Sequence, residues 1–144
     1  MLVSQILKSK ADESVVTVLP STTIAQAAQM LSERRIGTLI VSRDDRAPDG
    51  IVSERDIVRR IGQQGASCLI ETVDSIMTSR LVTCGRDMRA DEVLAQMTEG
   101  RFRHMPVLED GALVGLISLG DVVKARLAEL AMEKDALEGM IRGH

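Results

Sequence analysis

Two short stretches place a serine and an aspartate three positions apart, Ser53-Glu54-Arg55-Asp56 and Ser118-Leu119-Gly120-Asp121. Each opens an apolar helical run, and that setting gives the pair two chemistries. As a capping box, the serine closes a helix N-terminus and the carboxylate reaches back to it, which is worth on the order of 1 kcal/mol. As a ligand site, the carboxylate accepts both hydroxyls of a ribose, as acidic residues do in dinucleotide-binding folds. The two roles are compatible, since the serine can cap while the aspartate faces a ligand. A carboxylate there repels phosphate, so Asp56 and Asp121 suit the sugar. The second cluster is Arg101-Phe102-Arg103-His104-Met105-Pro106. A guanidinium fork matches phosphate oxygens, so Arg103 with His104 offers positive charge to a phosphate; the alternative is a solvated basic turn. Pro106 has no N–H and favours a strand entry or edge, which leaves the backbone of His104 and Met105 available to an adenine edge. A metal or catalytic role for His104 lacks a partner, because the other histidine is the terminal His144. Fifteen residues separate Cys68 and Cys84, a spacing that fits no common zinc motif, and both read as small semi-buried hydrophobes.

The elements that must position these residues occur twice. An offset of 66 lays Val16-Thr17 on Val82-Thr83, Glu33 on Glu99, Arg35 on Arg101 and Val41 on Val107. After a loop one residue shorter, an offset of 65 lays Gly50 on Gly115, Ser53 on Ser118, Asp56 on Asp121 and Val58 on Val123. The lead-ins match as well, Val3-x-x-Ile6-Leu7 with Val73-x-x-Ile76-Met77. In the first copy, Val15 to Val18 is a β-branched run stopped by Pro20, and Ile24, Ala27, Ala28 and Leu31 form a helical stripe. Thr38 to Val41 and Gly50 to Val52 are two strands, and a helix starts near Ser53. The second copy repeats the order with Leu81 to Thr83, the stripe Ala90/Val93/Leu94/Met97, Met105 to Leu108, Leu113 to Ile117 and a helix from Ser118. The fold class is therefore mixed α/β (α+β), a βαββα unit used twice. Residues 1–66 form the first repeat, 67–130 the second and 131–144 a C-terminal helix extension. Units this small are marginal alone, which predicts a shared interface and one core.

Composition closes several other routes. With 18 Lys+Arg against 21 Asp+Glu the net charge is −3, which gives no general attraction to nucleic acid or to an anionic membrane surface. Phe102 is the sole aromatic, so base-stacking platforms of the RNA-binding kind are excluded. No apolar run approaches the ~20 residues of a membrane span and no leader pattern opens the chain, so a cytoplasmic protein is expected. No Gly-rich phosphate loop and no activated nucleophile is recognisable, which argues against an enzyme.

The ordered set of an Arg-His-Met-Pro-Val run, a Gly-hydrophobic-hydrophobic strand and Ser-x-x-Asp opening a helix resembles the CBS domain. Two in tandem resemble a Bateman module, from about Val3 to Leu130. The resemblance implies a pseudo-two-fold pair of units with clefts between them that hold adenosine-containing ligands: AMP, ADP, ATP or NAD. It implies ribose held by the aspartate and adenine read by backbone near His104 and Met105, with Ser118 and Asp121 as the second copy's helix-opening pair. It favours the cleft for Thr17 and Thr83, which are otherwise ordinary β-branched strand residues. The first copy departs from the pattern. Ile36-Gly37-Thr38 stands there without arginine, histidine or proline; Gly37 permits close backbone approach, and Arg55 beside Asp56, with Arg34 and Arg35, is left to neutralise phosphate. Ser53 and Asp56 complete that weaker site. No cofactor is required, and magnesium enters only as the companion of a triphosphate.

Beyond the second repeat, Val123, Leu127, Leu130, Lys134, Leu137 and Ile141 follow coiled-coil spacing, with i,i+4 pairs Lys134–Glu138 and Glu138–Arg142. Gly139 and Gly143 suggest fraying at the end. The stripe calls for a homodimer contact or for packing back on its own domain. Two functional readings follow: a nucleotide-sensing regulator of a separate, unknown protein partner, or a ligand-free structural module for protein interaction and dimerisation.

Overall fold

The computed structural model of the chain describes residues 1–10 and 15–141. The helical stripe of the first copy becomes α2 (Ile24–Arg34), following α1 (Val3–Ser9) and β1 (Thr17–Val18). Thr23 opens α2 in a reciprocal box with Gln26, whose N–H it accepts at 3.1 Å while the Gln26 amide oxygen takes the Thr23 N–H at 2.9 Å. Then come β2 (Thr38–Val41), β3 (Gly50–Ser53) and α3 (Glu54–Gln64). Strand β1 runs parallel to β2 and β2 antiparallel to β3, with Thr17 opposite Ile40 and Thr38 opposite Ser53. Two 3₁₀ turns, Gly65–Ile70 and Val73–Ser75, lead to α4 (Ala90–Gly100), the paired strands β4 (His104–Glu109) and β5 (Ala112–Ser118), and α5 (Leu119–Ile141). Both first helices end the same way: Arg35 and Arg101, aligned by the repeat, adopt the left-handed conformation at φ 54° and 55°.

One expected strand is corrected. Leu81 to Thr83 is not a strand; the second copy keeps a single parallel bridge, Cys84 to Val107. The reason lies in the partner. In the first copy Ile40 donates its N–H to Val16 O at 3.0 Å and Ser42 donates to Val18 O at 2.9 Å. Leu108 N–H to Cys84 O at 2.8 Å reproduces the second bond. The residue aligned with Ile40 is Pro106, which has no N–H to give Val82. In the first copy, too, Val15 and Val16 lie outside the strand.

The described residues fall into two compact units, 1–10 with 83–108 and 115–141, and 15–82 with 109–114. Residues 109–114 of the second copy's hairpin aside, each unit contains one copy's strands and helices together with the other copy's lead-in. In one, Val3 N–H bonds Met88 O at 2.8 Å and Ala90 N–H bonds Met1 O at 2.9 Å. In the other, Val73 N–H bonds Thr22 O at 2.8 Å and Ile24 N–H bonds Glu71 O at 2.9 Å. The side chains follow suit. Val3, Ile6 and Leu7 are buried with Ala90, Val93, Met97, Met105, Val107, Ile117 and Val122. Val73 joins the core of Ile24, Ala27, Leu31, Leu39, Val41, Val52 and Ile57. Cys68 and Cys84 are both buried and free of disulfide. Burial pushes the Cys84 thiol up to about 11, so it stays protonated at neutral pH.

The exchanged lead-ins explain the aligned glycines. A Cβ on Gly115 would lie 2.7 Å from Leu7 Cδ2, and one on Gly50 would lie 2.5 Å from Met77 Sδ. Each glycine is the space a lead-in side chain fills. We expect Gly115→Ala to lower stability by about 1–3 kcal/mol through overpacking. Combined with Leu7→Ala it should cost less than the sum of the two single changes, measured by urea unfolding.

Candidate functional site

At the start of α5 the chain builds the expected box. Ser118 N–H donates to Asp121 Oδ2 at 2.9 Å, and Asp121 N–H donates to Ser118 Oγ at 3.1 Å. The next turn is tied to the strand before it: Leu119 N–H bonds Arg103 O at 2.7 Å. One residue absent from the sequence reading joins this group. Lys10 Nζ lies 2.9 Å from Asp121 Oδ2 and donates to Leu116 O at 2.8 Å. The serine N–H and the ammonium both land on Oδ2; Oδ1 takes neither. Burial alone would push the Asp121 carboxyl up, but the Ser118 N–H and the Lys10 ammonium more than offset it and hold the group below its ordinary range.

Beside this box sit Arg103, His104, Met105 and Pro106. Burial pushes the His104 imidazole below its ordinary range, and Lys10 and Arg103 act in the same direction against the pull of Asp121. This favours the uncharged ring in the absence of a bound anion. Arg103 is exposed. Met105 is fully buried. Pro106 is buried in β4 and its carbonyl accepts the Cys84 N–H at 3.0 Å. Thr83 is exposed and outside any strand.

The other unit holds the remaining candidates. Ser53 N–H and Oγ both donate to Asp56 Oδ2, at 2.8 and 3.0 Å, and Asp56 N–H returns to Ser53 Oγ at 3.3 Å. Here the second oxygen is engaged differently: Oδ1 lies 3.7 Å from the Arg59 guanidinium. Glu54 N–H bonds Gly37 O at 3.0 Å, the counterpart of the Leu119–Arg103 bond. A Cβ on Gly37 would meet Glu54 Oε1 at an ordinary 3.5 Å, so the fold does not need glycine there. Ile36 is half-buried and Thr38 buried, Arg55 is exposed, and the Thr17 hydroxyl is bonded to Asp45. The seven candidates of each copy thus stay together, each set within its own unit.

Lys10 left one trace in the sequence. It follows Val3 at the same distance at which Arg80 follows Val73, so both lead-ins end in a basic residue. Among the described residues no group of three or more His, Cys, Asp or Glu could hold a metal ion, and no helix is long and apolar enough to cross a membrane. The stripe on α5 does not pack back: Leu127, Leu130 and Leu137 are 63%, 48% and 59% exposed. Lys134 and Glu138 pair at 3.8 Å, Gly139 lies within α5, and Arg142, Gly143 and His144 lie outside the described residues.

A βαββα unit with its helix-opening Ser-x-x-Asp box, repeated with the second copy's first strand reduced to a single bridge, defines a class. The model of the CBS domain matches residues 3–63 and 73–128. The chain belongs to the CBS domain family and carries two such domains in tandem. It is similar to the CBS domain-containing protein CBSX3, mitochondrial, of Arabidopsis thaliana, at 33% identity over 98% of this chain and 72% of that one. It spans only 23% of the longer CBSCBSPB2 of the same plant, at 30% identity. Among solved structures, the CBS-domain containing protein ATU1752 of Agrobacterium tumefaciens superposes with a TM-score of 0.82 at 43% identity, covering 88% of this chain and 99% of that one. PAE2072 of Pyrobaculum aerophilum, a CBS domain protein complexed with AMP, superposes with a TM-score of 0.78 at 27% identity, covering 92% and 99%.

The depressed Asp121 carboxyl fixes the sign of a pH effect. Its contribution is complete above the ordinary value near 3.8 and is lost as the pH falls through the lower folded value. Asp121→Asn should therefore cost about 1–2 kcal/mol from pH 7 down to pH 5. The gap from the parent chain should close below about pH 4 in denaturant titrations.

Proposed function

We propose that the chain is a regulatory module that binds an adenosine-containing nucleotide, AMP, ADP, ATP or NAD, beside the start of α5, and through it controls a separate protein. One observation carries the reading. Asp121 is held by its Oδ2 in the capping box while Oδ1 takes neither of those bonds, which leaves a fixed, ionised acceptor for ribose hydroxyls. Arg103, the backbone of His104 and Met105, and the buried Pro106 complete that site, with Ser118 as its cap; Thr83 borders it. The AMP complex of PAE2072 supports the ligand class. In the first copy Asp56 Oδ1 faces Arg59, so Thr17, Ile36, Gly37, Thr38, Ser53, Arg55 and Asp56 form the weaker site. The role is regulatory rather than catalytic and the setting cytoplasmic. Magnesium enters only with a triphosphate. A ligand signals by its different affinity for two arrangements of the protein, so the regulated partner must read that difference.

A second observation bears on assembly. The exposed leucines of α5 give a homodimer its contact. Leu130→Lys should convert a dimeric chain to a monomer in sedimentation equilibrium and leave nucleotide binding in place.

The chain has no Trp and no Tyr, so a co-purified adenine should dominate its ultraviolet spectrum. A saturating nucleotide should stabilise it by about 2.7 kcal/mol at a hundredfold excess over Kd. Asp121→Ala should abolish the thermal shift. No shift at millimolar AMP, ADP, ATP, NAD, S-adenosylmethionine or cyclic dinucleotide would establish the ligand-free interaction module instead.

A further inference from the structure

We propose that Lys10 is the residue by which the second-copy site distinguishes a phosphorylated adenosine from the bare nucleoside. The inference rests on the nucleotide reading above and adds a phosphate-recognising residue to it. A carboxylate suited to the ribose hydroxyls is a poor neighbour for the 5′-phosphate a few bonds further along the same ligand, because like charges in a half-buried site repel strongly. The chain answers with an ammonium at the spot: Lys10 Nζ stands 2.9 Å from Asp121 Oδ2 with its side chain 26% exposed, so it cancels the charge and still reaches solvent. Its second bond, 2.8 Å to Leu116 O, anchors the ammonium on β5 rather than leaving it on a free tether.

The other basic groups do not replace it. Burial favours the neutral form of His104, and Arg103 is exposed. Lys10 is the cation that contacts the ribose-binding carboxylate directly. An ammonium has three donors. Two are engaged by Asp121 and Leu116, and the third is available for a phosphate oxygen. The lysine arrives on the exchanged lead-in, so the second copy's site is incomplete without the first ten residues of the chain.

The test is the ratio of affinities for AMP and adenosine, measured by isothermal titration on the full chain and on Lys10 variants. The parent chain should bind AMP more tightly than adenosine. Lys10→Met should weaken AMP by about tenfold or more, the size of one lost charged hydrogen bond, and leave adenosine within about threefold. Lys10→Arg should restore the ratio. If Lys10→Met does not fold, Lys10→Gln, which keeps a donor for Leu116 O, is read in the same way. Parallel loss of both ligands, or an unchanged AMP affinity, would overturn the assignment of Lys10 while leaving the nucleotide reading intact. A parent chain that binds neither ligand would overturn the nucleotide reading itself.

Discussion

Each unit is closed by backbone hydrogen bonds between a lead-in and the segment at the start of a first helix. Val3 to Met88 with Ala90 to Met1 does this in one unit, and Val73 to Thr22 with Ile24 to Glu71 in the other. Buried backbone groups must find partners, and these bonds satisfy the free N–H groups at the starts of α2 and α4. They also decide which side chains complete each core. Leu7 and Met77 occupy the room left by Gly115 and Gly50, so the glycines, the lead-ins and the helix starts form one constraint. A chain folded with each lead-in on its own copy would have to rebuild that constraint.

The site inherits its rigidity from the same economy of groups. A capping aspartate is normally consumed by the helix it opens. Here the cap uses one oxygen, and the fate of the other separates the two copies: Arg59 faces it in the first, and neither Ser118 nor Lys10 takes it in the second. The bond from α3 or α5 back to the strand before it, Glu54 to Gly37 and Leu119 to Arg103, fixes the helix start against the stretch that would read a base. The acidic group and the backbone edge are therefore positioned by one joint rather than by two independent loops.

Much of this was legible in the residues. The repeat register paired Arg35 with Arg101 before either was seen in the left-handed conformation, and it paired Ser53 and Asp56 with Ser118 and Asp121 before the boxes were seen to form. Helical periodicity placed α2 and α4 because three-residue and four-residue spacing leaves one apolar face. The exchange of lead-ins was not legible, since apolar spacing says that Ile6 and Ile76 are buried but not against which copy. The missing first strand of the second copy depends on a donor that Pro106, a distant residue, lacks. Lys10 was missed because a single basic residue at the end of a lead-in has no periodicity, and its acceptor Leu116 is 106 positions away. The residue type alone does not show that burial favours the neutral form of His104.

Helix α5 begins at the Ser118–Asp121 box and continues without a break to Ile141, 23 residues in all. At the usual rise per residue that is about 34 Å of continuous helix. A rod of that length is a lever with its short arm at the box. A tilt of about 5° at the anchored end sweeps the far tip through about 3 Å, the diameter of a water molecule or the width of a misaligned contact. The far turn of α5 therefore amplifies any tilt at the point where Asp121 is fastened.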